Sequence, residues 1–239
     1  MKPNLVLVPL ALEWVIVAST IAPLWLGMFS KRPKLGIAMW LLLFFSAAVA
    51  TGVAAALAVW GVIDNFNNLE QHRQNLPLTI AFSLAPWLLF ALAGVAINLI
   101  NLKLEPIIQR FKAVLTSPSL PARPYKKFQK VPVEIIQLEA LAAFSTDRPN
   151  RRILLSSMAV NELSEPELEA VLWHEYAHLR MGHPLLKRLV RLVATLTGFV
   201  KASKVMNHEV DRLCELAADD FALKHVDAAL LASVRSKFD

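Results

Sequence analysis

Three apolar stretches, Leu5–Phe29, Leu35–Val62 and Leu78–Ile100, dominate the first hundred residues. Each is long enough to cross a bilayer as a helix, which takes about 20 residues. In hydrocarbon every backbone N–H and C=O must be satisfied within the segment, so stretches of this kind fold as helices. Composition points the same way. Hydrophobic residues make up 56% of the 239-residue chain and charged ones 18%, with a mean hydropathy of +0.47. A soluble domain of this size could not hide that much apolar surface. The first stretch exceeds the apolar core of a secretory signal, ~7–15 residues, and no small-x-small cleavage site follows it, so it reads as a retained span.

Charge bias orients the spans. The link Ser30–Lys34 carries Lys31, Arg32 and Lys34, whereas Asp64–Asn75 sets Asp64 and Glu70 against Arg73. The chain after Ile100 is basic again. The positive-inside rule places the first link and everything after the third span in the cytoplasm, with the N-terminus outside. The expectation is a multi-pass protein of the cell membrane, with the lipid bilayer as one partner. The formal net charge of +6 and pI of about 9.6 belong to this flanking pattern, which continues through Lys103, Arg110, Lys112, Arg123, Lys126, Lys127 and Lys130. No nucleic-acid motif accompanies it, so nucleic acid is not expected as a partner. Glu13, inside the first span, reads as a carboxylate near the outer interface or protonated within helix packing. Cys214 is the only cysteine, which excludes an internal disulfide and a multi-cysteine metal site.

The spans define residues 1–101 as a transmembrane domain. Residues 102–124 form a juxtamembrane segment. Leu104, Ile107, Ile108, Phe111 and Leu115 recur at helical spacing among basic residues, and Pro118, Pro121 and Pro124 mark Thr116–Pro124 as a linker. Residues 125–239 form a further domain. There Val131–Leu138 and Arg152–Ser156 predict the strands of a hairpin, with Ser145–Asn150 as its turn. Leu185–Val200 predicts a helix, apolar but flanked by Lys187, Arg188, Arg191 and Lys201, that dips into the membrane interface or shelters a site. The fold class is a mainly α membrane protein: three transmembrane helices followed by an α+β domain with a small β-hairpin or sheet.

The chemistry concentrates on two predicted helices. Ser164 and Glu167 form a capping box before the apolar Leu168, Val171 and Leu172, and Gly182 with Pro184 ends that helix. It carries His174-Glu175-Tyr176-Ala177-His178. Residues four apart share one helix face, so His174 and His178 can bind one zinc ion together, and Glu175 can reach a metal-bound water. Catalytic zinc takes three protein ligands and keeps one position open. A second helix, Met206–Val226, presents Asp211, Glu215 and Asp219 on one face. Glu215 is the preferred third ligand and Asp219 the carboxylate that orients a zinc-bound histidine, with Asp211 and Asp219 as competing ligands. His183 falls at the wrong offset for a ligand. His208 and His225 read as surface residues, with His225 a secondary candidate for stabilising an oxyanion.

His174-Glu175-Tyr176-Ala177-His178 followed by Glu215-Leu216-Ala217-Ala218-Asp219 resembles the HExxH…ExxxAD pattern of integral-membrane gluzincin metallopeptidases. These include the HtpX heat-shock proteases, the CaaX-prenyl endopeptidases and the antirepressor proteases of β-lactam sensors. The short interval from His178 to Glu215 is most similar to the antirepressor branch. The resemblance covers about Val131 to the C-terminus and implies a zincin-like metalloprotease domain. It implies His174, His178 and Glu215 as zinc ligands, Glu175 as catalytic base and Asp219 as an outer carboxylate. Ala143 and Phe144 resemble the edge strand on which such enzymes bind extended substrate, although Ala142 stands where several relatives have asparagine.

The implied activity is a zinc-dependent endopeptidase that hydrolyses peptide bonds with a zinc-activated water. Its partner is a protein or peptide substrate, either a transcriptional repressor or a membrane protein under quality control. The rival reading is an inactive, protease-like subunit of a membrane assembly, against which the retention of Glu175 argues.

Overall fold

The computed structural model describes residues 4–25, 27–67, 122–147, 150–197 and 201–238. The expected third span, the stretch Leu102–Leu115 and the part of the linker before Ala122 lie outside them.

Helix α1 (Asn4–Ile21) passes into a short 3-10 turn, Ala22–Trp25, and α2 spans Pro33–Asn67. The first apolar stretch is therefore not one helix to Phe29. It breaks at Pro23, which lacks an N–H and cannot continue the α-helical ladder. The two helices fold back on one another, with Trp14 Nε1 donating to Ser46 Oγ at 3.1 Å. Within α2, Pro33–Leu57 is the one helix among the described residues long and apolar enough to cross a membrane, with a mean hydropathy of 2.1. The described residues thus hold one candidate span of the three expected. Leu41, Leu42, Phe45, Val49 and Val53 are exposed along it, and Trp60 is exposed farther along α2.

A four-stranded sheet follows: β1 (Ala122–Phe128), β2 (Val131–Ile136), β3 (Ala143–Thr146) and β4 (Arg152–Ser156), in the order β1-β2-β4-β3. The expected hairpin is corrected here. Strands β2 and β4 pair in parallel, Val133 opposite Ile153, and the antiparallel partner of β4 is β3, Ala143 opposite Leu155. The run Ile153-Leu154-Leu155 is buried throughout. A continuous apolar run belongs to a central strand covered on both faces rather than to one arm of a half-exposed hairpin. The actual hairpin is β1–β2. It turns at Gln129–Lys130, both at positive φ (48° and 67°), as a two-residue turn requires to match strand twist. Pro124 lies inside β1 rather than in a linker, beside a register shift between Pro124 and Lys126 that accommodates its missing N–H.

Five helices follow among the described residues: α3 (Ser157–Glu162), α4 (Glu165–Met181), α5 (His183–Leu196), α6 (Lys201–Ala222) and α7 (Ala228–Phe238). One core lies between sheet and helices, where Val133, Ile153, Leu155, Leu168, Leu172 and Val234 are buried. Each such side chain contributes roughly 1.5–3 kcal/mol by leaving water. A second core joins the N-terminal helices to the rest: Trp40 and Leu43 of α2 pack with Val190 of α5 and with Met206, Val210, Leu213 and Cys214 of α6.

Close approach at this junction depends on Gly36. A Cβ there would meet Phe29 Cβ at 2.5 Å and Leu213 Cδ1 at 2.9 Å. Polar ties reinforce it. The Gly27 N–H donates to Glu209 Oε1 at 3.1 Å, Arg212 grips the same carboxylate at 2.7 and 2.9 Å, and Arg212 also donates to Ser30 Oγ at 3.2 Å. The basic link Lys31–Lys34 is thereby fastened beside α6. Helix α5, expected over Leu185–Val200, buries Val190 and leaves Leu185 and Leu189 about half exposed at 51% and 52%.

Candidate metal centre and active-site cleft

Helix α4 begins as its capping residues dictate. The Ser164 backbone N–H donates to the Glu167 carboxylate at 2.9 Å, and Pro166 occupies the first turn, where no intrahelical donor is needed. It ends at Gly182, which adopts the left-handed conformation at φ 69°. A residue without a Cβ holds that shape without strain, and α5 starts at the next residue. His174 and His178 project from one face of α4, as their four-residue spacing requires.

Helix α6 crosses that face and brings Glu215 to both histidines. His174 Nε2 lies 3.2 Å from Glu215 Oε2, His178 Nε2 lies 3.5 Å from the same oxygen, and the two Nε2 atoms are 3.1 Å apart. Ligands on tetrahedral arms of ~2.0–2.1 Å would be separated by about 3.3–3.4 Å, so the three atoms stand at the spacing a zinc ion needs. Asp211 and Asp219, the competing ligands, are engaged elsewhere. Asp211 pairs with Lys187 at 2.8 Å, and Asp219 Oδ1 accepts from His174 Nδ1 at 2.9 Å.

Each donor is held from behind. Asp219 fixes His174 by Nδ1, leaving Nε2 inward. His183 Nδ1 sits 3.0 Å from His178 Nδ1 and does the same for the second histidine. Lys187 Nζ donates to Glu215 Oε1 at 2.6 Å, so only Oε2 faces the centre. Arg235 of α7 ion-pairs with Asp219 Oδ2. Of these outer partners only Asp219 was expected. His183 and Lys187 of α5 and Arg235 of α7 carried no spacing signal, because they arrive from helices other than those of the groups they hold. The one available clue was that a zinc-bound histidine needs an acceptor for its other N–H.

The electrostatics follow from these contacts. Burial works to lower His174, but hydrogen bonds to Asp219 and Glu215 outweigh it and hold the imidazole up at about 9. Burial tends to raise Glu215, yet both histidines and Lys187 bring it well below the usual carboxylate range. His183 is pushed down to about 3, first by burial and then by the charges of His178 and Lys187. It is neutral at physiological pH and able to accept from His178. Burial pushes the Cys214 thiol up to about 12, so this cysteine packs rather than reacts.

The remaining expected residues fall as follows. Glu175 is nearly buried, at 9% exposure, and lines a cleft of about 220 Å³ with His174, Glu215, Asp219 and Ala143. Strand β3, carrying Ala143 and Phe144, is an edge of the sheet, as expected, and Phe144 is partly exposed at 37%. His225 is exposed, as its primary reading expects, and stacks flat on Trp173 with ring centroids 3.6 Å apart, outside the cleft lining. His208 is exposed.

Two histidines and a glutamate on an HExxH helix, a facing glutamate on a second helix and a strand-edged cleft are the parts that a metallopeptidase centre requires. The comparison with known families agrees. Residues 104–208 match the model of peptidase family M48, a stretch that contains the HExxH helix and stops short of Glu215. The match supports an M48-type metallopeptidase, a family that depends on zinc. No curated protein matches the chain.

His183 provides a test of how the centre is built. His183→Ala should lower zinc affinity about 10–100-fold, the usual effect of losing an outer hydrogen-bond partner. His183→Asn, which keeps an acceptor, should recover part of it. Competition against a chromophoric chelator measures both, and unaltered affinity in the alanine variant would reduce His183 to packing.

Proposed function

We propose that this chain is a membrane-anchored, zinc-dependent endopeptidase that cleaves either a cytoplasmic repressor or membrane proteins under quality control. The observation that carries the reading is the convergence of His174 Nε2, His178 Nε2 and Glu215 Oε2 beside Glu175. These three side chains would hold a zinc ion, and the chemistry it would supply there is polarisation of a scissile carbonyl and activation of water. Glu175, nearly buried at the same centre, takes a proton from that water and returns it to the departing amine. Asp219 and His183 keep the imidazoles turned inward, and Lys187 holds Glu215 by its other oxygen. A substrate in extended conformation adds to the free edge of β3 by backbone hydrogen bonds, so that its peptide bond crosses the face of α4. The direct test measures zinc and casein hydrolysis on the purified full chain. One zinc per chain, with hydrolysis lost to a chelator and restored by zinc, is the expected result. Stoichiometric zinc without hydrolysis of any substrate would favour the inactive-subunit reading instead.

The same proposal places the peptidase domain in the cytoplasm. It is supported by the basic link Lys31–Lys34, which is tied to α6 through Gly27, Ser30, Glu209 and Arg212, so that link and domain share one side. A cysteine introduced at Asn67, at the far end of α2, should react with an impermeant reagent in intact cells, and one at Ser145 should not. The reverse labelling pattern would invert the topology.

A further inference from the structure

A second cavity, of about 490 Å³, lies between the first basic link and the end of α6, and none of the metal-centre side chains lines it. Four cations converge there: Lys31, Arg32 and Lys34 from the link, and Lys224 from the turn that follows α6. Asp220 is the one acid in the lining, so positive groups outnumber negative ones by four to one. Among the described residues none of the four pairs with a carboxylate. Like charges gathered without a counter-charge repel one another, and a bound anion relieves that cost. Flanking of a membrane span accounts for the three cations of the link, but not for Lys224, which arrives from the other end of the chain.

The cavity also adjoins an apolar stripe. Leu35, part of its lining, is 47% exposed. Leu35, Ala38, Leu42, Phe45 and Val49 recur at intervals of three and four, so they share one face of α2, and all are exposed. The stripe runs along the candidate span Pro33–Leu57. We infer that the cavity binds the phosphate-bearing headgroup of an anionic phospholipid, whose acyl chains lie along this stripe; the inference rests on the reading of α2 as a membrane span and not on the peptidase chemistry. Lys31, Arg32, Lys34 and Lys224 supply donors and charge to the phosphate, which favours a lipid of net negative charge over a zwitterionic one. A soluble phosphate would share the charge but leave the stripe unused. The volume lies within the ~300–1,000 Å³ of ordinary ligand sites. Because Lys224 follows the helix of Glu215 and Asp219, the lipid ties the end of that helix to the membrane end of α2.

The experiment titrates the full chain in detergent with dioleoylphosphatidylglycerol or dioleoylphosphatidylcholine, and counts lipid bound per chain by native mass spectrometry. The wild type should hold one phosphatidylglycerol about tenfold or more tightly than phosphatidylcholine. Lys224→Gln should weaken phosphatidylglycerol about fivefold, the usual effect of one basic residue near an anionic surface, and Arg32→Gln combined with it about 25-fold. Lys127→Gln removes an equal charge from an exposed position on β1, outside the cavity, and should leave the affinity unchanged. Millimolar inorganic phosphate should not displace the lipid. Equal affinity for the two lipids, or equal losses in Lys127→Gln and Lys224→Gln, would overturn the site. Displacement by inorganic phosphate would overturn its assignment to a lipid. A chain that stays soluble without detergent would overturn the membrane reading, and the lipid site with it.

Discussion

Glu175→Gln should lower peptide hydrolysis by ~10²–10⁴-fold, the usual contribution of a general base, while zinc content and thermal unfolding stay as in the wild type. The amide matches the carboxylate in shape, so the nearly buried site of Glu175 keeps its packing, but an amide cannot take up the proton of the attacking water. None of the side chains that meet His174, His178 or Glu215 within hydrogen-bonding distance is Glu175, so the metal centre has no reason to change. The comparison requires purified protein, a peptide substrate and zinc measured on each sample. Full activity in the variant would remove Glu175 from the reaction and favour a metal-binding or structural role for the centre.

His178→Ala should fail differently, losing zinc and activity together. His178 lies almost wholly within the protein at 6% exposure, and its ring bridges the centre to His183. Removing it leaves two donors of three, and the loss of zinc affinity should exceed the ~10–100-fold expected of an outer partner such as His183. Zinc retained at one per chain with His178 absent would mean that the metal sits elsewhere. The two variants separate the roles: one keeps metal and loses hydrolysis, the other loses both.

The local features were readable in the residue order because they depend on periodicity. A four-residue interval on a helix puts His174 and His178 on one face whatever else surrounds them. The capping residues Ser164 and Glu167 and the stop at Gly182 set the limits of that helix by backbone hydrogen bonding alone. The long apolar run of α2 suits a helix because a helix satisfies the backbone polar groups of a single segment internally. The chemical need for a third donor left Asp211, Glu215 and Asp219 open, and the resemblance to the HExxH…ExxxAD pattern pointed to Glu215.

Tertiary structure decided what depends on contacts between distant segments. Strand pairing is one case: the apolar run Ile153-Leu154-Leu155 suits a central strand, but nothing local names its partners, the parallel Val131–Ile136 on one side and β3 on the other. The choice rests on burying Ile153, Leu154 and Leu155 together. The outer shell of the metal centre is another. His183, Lys187 and Arg235 reach His178, Glu215 and Asp219 from α5 and α7, across intervals with no period. The wall of the cleft is a third, since Val234 and Phe238 line it only because α7 folds back onto α4. Helical spacing determined which residues share one face of α4 at the candidate metal centre, and packing between helices determined what holds them there and what borders the cleft.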